Sequence, residues 1–269
     1  MTIHDCSFVR YPQWSSPAVL AMEPAIRRAI RDGAWVHAPS AFTAAEVTEL
    51  LGADPRRVIV VEHGAPRLAD SSGLGVSIGV RGLIEDSPYI LAIGTIEPRK
   101  NLHRLVLAFG TLASHTPDVS LVIAGADGPA RPEVDVAIES LPPGIRARVA
   151  LTGYVNEATR AALLRGASAV AYPSLYEGFG LPLLEAMATG VPVVASKTGA
   201  TSEVAGEAAF LVDPLDPDAL ADALARVLND RDLANSMVAA GHERANKYSW
   251  ERTASGMLDI YRQALGTAA

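Results

Sequence analysis

The chain carries one cysteine, Cys6, in 269 residues, which excludes an internal disulfide framework and any multi-cysteine zinc site. No apolar run reaches the ~18 residues of a spanning helix, and no basic-then-apolar leader opens the sequence. Cations are in the minority, 23 Lys and Arg against 30 Asp and Glu, for a formal charge of −7. Broad, sequence-independent nucleic-acid binding needs clustered cations to neutralise phosphates, so that class is excluded. There is no internal repeat and no low-complexity tract. What remains is 49% hydrophobic and 20% charged, a globular composition able to bury a core. The length suits one large domain or two modest ones. A soluble, cytoplasmic protein is the expectation.

Short, nearly continuous apolar runs recur at 58–61, 89–93, 119–124, 167–172, 191–195 and 208–212. They do not alternate, so they predict strands covered on both faces, as in a parallel sheet. Between them lie helical stripes. Leu102, Leu105, Val106, Phe109, Leu112 and Ala113 share one face of 101–113, and Leu220, Ala223, Leu224, Val227 and Leu228 share one of 215–230. Strand and helix alternate from about 88 to 230, which predicts a doubly wound α/β domain. Residues 1–64 hold about two and a half β-α units: a strand start at Thr2-Ile3, helices near 17–31 and 42–51, and strands at 34–38 and 57–62. The glycine- and serine-bearing stretch 65–87 reads as a linker. Residues 231–265 read as helical, with Ser249 capping the last helix and Glu251 and Arg252 in its first turn.

The richest stretch is Ser174–Gly190, S-L-Y-E-G-F-G-L-P-L-L-E-A-M-A-T-G. A buried strand ends at Pro173, a loop carries Glu177-Gly178-Phe179-Gly180, and a helix opens at Leu181 with Pro182 in its first turn. Backbone N–H groups and the positive helix end converge there, which suits phosphate. Glu177 and Glu185 flank that point. Carboxylates repel an anion, so they suit hydroxyls on either side of a diphosphate; the alternative is a tight turn with two solvated glutamates. A second motif, Gly94-Thr-Ile-Glu-Pro-Arg-Lys-Asn101, also follows a buried strand and opens a helix, with Asn101 placed to cap it. Arg99 and Lys100 then stand at a positive helix end, disfavoured by ~0.3–1 kcal/mol each unless an anion joins them. The alternative is a pair of surface cations balanced by Glu97.

These motifs resemble those of the retaining GT-B glycosyltransferases of the "group 1" family. E-G-F-G-L-P-L-L-E is similar to the family's E-x7-E signature, and G-T-I-E-P-R-K-N, L-T-G-Y-V and E-V-A-G-E-A-A-F-L-V-D-P match its other motifs. The likeness covers essentially all of 1–265. It implies an α/β chain with two facing Rossmann-like domains, a nucleoside-diphosphate sugar as donor, and no metal or other cofactor. The resemblance assigns Arg99 and Lys100 to the donor diphosphate, Glu185 to the ribose and Glu177 to the donor sugar. Gly178, Phe179, Gly180 and Leu181 lie along sugar and phosphate, and Gly153, Tyr154 and Val155 near the base. The N-terminal T-I-H-D-C-S-F-V-R-Y-P-Q-W-S-S-P resembles the mannosyltransferase-like form of the family, which implies GDP-mannose as donor and places His4 at the donor sugar. A glycan, lipid-linked or small-molecule hydroxyl is the expected acceptor, with polysaccharide biosynthesis as setting.

The match begins midway through the family's N-terminal domain, without its glycine-rich loop. The expected organisation is therefore a partial acceptor-side domain at 1–64, a linker at 65–87, a complete donor-binding domain at 88–247, and a C-terminal segment at 248–269 packing back toward the N-terminal part. A truncated, inactive nucleotide-binding remnant or partner subunit is the alternative function. Other motifs carry less. Gly75-Val-Ser77-Ile-Gly79 matches a nucleophile elbow, with His242 downstream, but lacks the strand before and helix after that an elbow needs. Cys6 and His4 would share a strand face without further support for a thiol nucleophile. His37, His63, His103, His115 and His242 show no metal-ligand spacing, and His63 stands where relatives more often carry Asn. Arg27, Arg28 and Arg31 offer a contact to anionic lipid at the inner membrane face, although such a trio is usually a solvated surface.

Overall fold

A computed structural model of the chain describes residues 1–66, 77–84 and 87–266. Its frame is a six-stranded, all-parallel sheet of β3 (Tyr89–Ile93), β4 (Ser120–Ala124), β5 (Val149–Gly153), β6 (Ala169–Tyr172), β7 (Val193–Ser196) and β8 (Phe210–Val212), ordered β5-β4-β3-β6-β7-β8. The order reverses between β3 and β6, and in open sheets of this kind ligands bind at that switch point, beyond the strands' C-terminal ends. Alternate strand residues enter opposite cores. Ile90, Ala92, Leu121 and Ile123 pack with α6 (Leu102–Ala113), α7 (Arg131–Glu139) and α12 (Pro217–Asn229). Tyr89, Leu91 and Val122 pack with α9 (Glu157–Gly166), α10 (Leu181–Thr189) and α11 (Gly199–Ala205). Burial on both faces is why the inner strands β3, β4, β6 and β7 read as nearly unbroken apolar runs.

The N-terminal part has its own core. A two-stranded parallel sheet, β1 (Val36–Ala38) and β2 (Val58–Val60), packs under α3 (Glu23–Arg31) and α4 (Ala41–Leu51), around Ile3, Phe8, Val47 and Leu51. The short helices α1 (Ser7–Arg10) and α2 (Pro17–Leu20) precede it, and Thr2 contributes only an isolated bridge to His37. The expected single helix over 17–31 is thus two, divided before Glu23-Pro24, where proline takes a first-turn position. Arg27 is committed to Glu23 (2.7 Å) and the Leu50 carbonyl (2.9 Å), which leaves two of the three arginines on that helix for any surface role.

Within 65–87, expected as a linker, Ile78–Ile84 forms α5 with Val80 and Ile84 buried against the donor-side core. Gly73 and Gly75 lie outside the described residues. Ser77 of the elbow-like motif accepts a bond from the Val80 N–H (3.4 Å), a helix-capping contact, and His242 packs beside Gly190. After α8 (Pro143–Arg146) and α13 (Arg231–Ala245), the chain ends in α14 (Trp250–Ala264), capped by Ser249 through the Arg252 N–H (3.2 Å). Thr253 on α14 donates to the Glu62 carbonyl (2.7 Å), which ties it to the N-terminal part. Among the described residues no helix is long and apolar enough to cross a membrane.

Candidate active site

The loops after β3 and β6 meet at the switch point, and there three charged side chains converge. Lys100 Nζ lies 2.6 Å from Glu177 Oε1, and Arg99 Nη1 lies 2.7 Å from Glu177 Oε2. Arg99 also reaches Glu97 through Nε at 2.9 Å. Lys100 is no surface cation: it is 8% exposed and its partner Glu177 9%, while Arg99 is half-buried. Burial pushes the Glu177 carboxyl up, but Lys100 and Arg99 beside it outweigh that and hold it below the usual carboxylate range. Glu97 and Glu177 balance the two cations, and the open helix end of α10 remains as positive potential: Gly180 (φ +132°) is its N-cap and no side chain caps it.

Beside this cluster a cavity of about 330 Å³ opens over the ends of β3, β4 and β5. Gly94, Thr95, Gly125, Tyr154, Val155 and Arg160 line it. A Cβ on Gly125 would collide with the Gly94 carbonyl, so these two loops touch through backbone. Tyr154, expected near the base, is 80% exposed at the cavity mouth, and Gly153 takes φ +68° to turn the chain there. Glu185 is 2% exposed and pairs with Arg160 at 2.7 Å. Burial lifts its carboxyl above the usual range despite that partner. Arg160 escaped the sequence reading. It stands in the first turns of α9, a cation at a positive helix end, the same local conflict that drew attention to Arg99 and Lys100.

Asn101 occupies the N-cap position of α6, but its side chain makes no capping bond. It adopts φ +57°, and its amide donates to the Pro173 (3.1 Å) and Pro214 (2.7 Å) carbonyls, stapling the loops after β6 and β8. The N-terminal part grips the 174–180 loop from the other side. Ser40 and Thr43 hydroxyls donate to the Gly178 carbonyl (2.7 and 3.0 Å), and Glu203 accepts from the Ala41 and Phe42 N–H groups (2.8 and 2.9 Å). Tyr176 accepts from the Cys6 N–H (2.9 Å) and donates to Glu46, which Arg10 also pairs. Cys6 is fully buried at the start of α1, and burial, with Glu46 and Asp5 nearby, pushes its thiol up to about 12. That is the opposite of an activated nucleophile.

His4 contributes its backbone here: its carbonyl abuts Gly178, while its exposed ring lies 5.5 Å from that of His63. His63 in turn meets Phe179 edge-on at 5.2 Å. Burial, then His4 and His37, lower the His63 pKa from 6.5 to about 4. The folded chain therefore resists a proton that the unfolded chain takes up, so stability present above pH 6.5 is lost as pH falls toward 4. Replacing His63 by Asn should flatten that decline in urea melts between pH 7 and 4; an unchanged slope would contradict it.

The family model described as glycosyl transferases group 1 matches residues 78–244. O-antigen chain mannosyltransferase B of Escherichia coli is 30% identical over 97% of this chain, and the chain spans 69% of it. A D-inositol 3-phosphate glycosyltransferase of Nocardioides sp. is 35% identical over 82% of the chain, which spans only 52% of that relative. Among solved structures, sucrose-phosphate synthase from Thermosynechococcus elongatus superposes with a TM-score of 0.75 at 26% identity, over 99% of this chain and 68% of that one. Anabaena HepE, solved with UDP and glucose, superposes at 0.77 with 20% identity, over 98% and 71% of the two chains.

Proposed function

Because the chain belongs to the group 1 glycosyltransferases and has their α/β GT-B fold, we propose that it holds a nucleoside-diphosphate sugar over β3–β5 and transfers the hexose to a hydroxyl acceptor with retention. The observation that carries this is the Arg99–Lys100–Glu177 cluster at the switch point, with a cavity on one side and a buried Glu185–Arg160 pair at its wall. Arg99 and Lys100 take the diphosphate, one as a fork and one as a point charge. The Gly178–Leu181 backbone and the open end of α10 add fixed dipoles. Glu177 then meets sugar hydroxyls, Glu185 the ribose, and Tyr154 and Val155 the base. Mannose from GDP-mannose is the favoured donor, supported by the N-terminal motif and the mannosyltransferase relative.

In the transfer step the bond from C1 to the diphosphate breaks while the acceptor oxygen bonds C1 from the same face. The departing phosphate oxygen takes the acceptor proton. The protein's task is to stabilise charge growing on the leaving group, and donors fixed in a half-buried site do so without reorganising. His4 lies beside the sugar position through its contact with Gly178.

The test is a thermal-shift panel of GDP, UDP and ADP, followed by release of free GDP from GDP-mannose. At a hundredfold over Kd, binding stabilises by ~2.7 kcal/mol, or about 5–10 °C. One nucleotide should shift the melt, and Glu185→Ala should abolish the shift. A cooperative melt that none of the three moves would overturn the reading, and a shift without turnover would make this a nucleotide-binding chain only.

A further inference from the structure

The donor reading takes the ends of β3, β4 and β5 and the turn from Glu177 to Leu181 after β6, and leaves the rest of the C-terminal edge of the large sheet unused. Over β6, β7 and β8 lies a second depression. Two cavities of about 420 and 500 Å³ share Tyr11, Leu175 and Thr198, so they run together as one groove. Its inner part is walled by Phe42 and Tyr176 and reaches Glu177. Its outer part is walled by Trp14, Lys197, Pro214 and Leu215.

The lining has a definite chemistry. The Tyr11 and Trp14 rings stack at 4.1 Å, 21° apart, and Tyr176 meets both Tyr11 (5.6 Å) and Phe42 (5.7 Å) edge-on. Aromatic side chains therefore form much of the walls, and Leu215, 61% exposed, lines the outer part with Tyr11 and Trp14. The rim mixes signs, Arg10 and Lys197 against Glu49 and Asp213. Four carboxylates, Glu46, Glu49, Glu177 and Asp213, line the groove against two cations, so a polyanion or a nucleotide would meet excess negative charge even beside the start of α11 at Thr198 and Gly199. A molecule with apolar C–H faces and a ring of hydroxyls suits both surfaces, because rings stack on the faces and hydroxyls bond the mixed rim. That molecule is a pyranose chain.

We propose that this groove binds a carbohydrate chain whose terminal hydroxyl is presented at Glu177, so that the acceptor is itself a glycan. The inference rests on the donor reading, which puts the transferred sugar at Glu177. The strand order supports it: loops after β3, β4 and β5 form the donor cavity, loops after β6, β7 and β8 form the groove, and Glu177 stands between. The N-terminal segment closes the groove through Arg10, Tyr11 and Trp14, side chains that the donor reading leaves without a role.

The experiment titrates α-linked mannotriose, maltotriose and cellotriose, each to about 10 mM, against wild-type protein, Trp14→Ala and Leu215→Arg. Saturation-transfer NMR reads the sugar and thermal shift with GDP or UDP reads the nucleotide in the same samples. One trisaccharide should bind wild type, binding should weaken roughly tenfold in both variants, and the nucleotide shift should persist in both. Leu215 is exposed, so Leu215→Arg keeps the test valid even where loss of Trp14 disturbs folding. No binding by any of the three, or equal binding in wild type and Leu215→Arg, would overturn the glycan groove while a persisting nucleotide shift left the donor reading intact. Absence of the nucleotide shift in wild type marks failure of the donor reading instead.

Discussion

Lys100→Met is expected to cut kcat for sugar transfer roughly a hundred- to a thousandfold and to raise the donor KM, while destabilising the fold by about 3–5 kcal/mol. The two effects have separate origins. Lys100 and Glu177 are both buried, with Nζ 2.6 Å from Oε1, and removing one partner strands the other's charge. Arg99 still reaches Glu177, which sets the stability loss toward the lower end of that range. The double variant Lys100→Met, Glu177→Gln removes both charges and should recover most of the stability but none of the turnover. Arg99→Ala, at a more exposed side chain with Glu97 as a second partner, should lose turnover with a smaller change in the melt. Wild-type kinetics in both single variants would remove these residues from the donor diphosphate.

The sheet was legible because its physics is local. A strand covered on both faces must be apolar at every position, and the 89–93 run coincides with β3, while the other runs overlap β2, β4, β6, β7 and β8 with ends shifted by one or two residues. β5 was not read as a strand. It lies at the sheet's edge, four of its five residues are only half-buried, and V-A-L-T-G makes no unbroken apolar run. α5 was hidden in a glycine- and serine-bearing stretch, because two buried residues, Val80 and Ile84, are too few to make a period.

The site divides the same way. Arg99, Lys100, Glu177 and the glycines around it stand out from their own neighbours, as cations at a helix start and glycines at a strand end. Their partners do not. Glu177 is 77 and 78 residues from the cations it binds, and Asn101, which looked like a helix cap, spends its amide on carbonyls 72 and 113 residues away. Ser40, Thr43, Glu46 and Tyr176 read as ordinary helix-start or loop residues. Only the packing of α4 against the 174–180 loop gives them partners across the cleft.

That packing makes Gly178→Ala severely damaging, with kcat/KM expected to fall about a hundredfold. An added Cβ would collide with the His4 carbonyl oxygen and lie 2.7 Å from Asp5 Cβ. The first obstacle is backbone, so no side-chain rotation relieves it. The loop has little freedom to retreat, because the Gly178 carbonyl is held by Ser40 and Thr43 and the neighbouring Tyr176 by Cys6 and Glu46. Either the loop or the His4–Cys6 segment must move, and the proposed function puts groups of both at the sugar. Overpacking of this kind costs about 1–3 kcal/mol, which a thermal melt resolves. The cavity over β3–β5 lies away from the collision, but the Gly178–Leu181 backbone belongs to the proposed diphosphate site, so nucleotide affinity should weaken too, by less than transfer does. Gly144→Ala is the control: its Cβ would meet nothing within 4 Å, and it sits in α8, so it should be neutral or slightly stabilising. A Gly178→Ala enzyme with wild-type turnover would mean that the contact between His4 and the 174–180 loop is not the one present during transfer, and that the cleft works in a more open arrangement than this one.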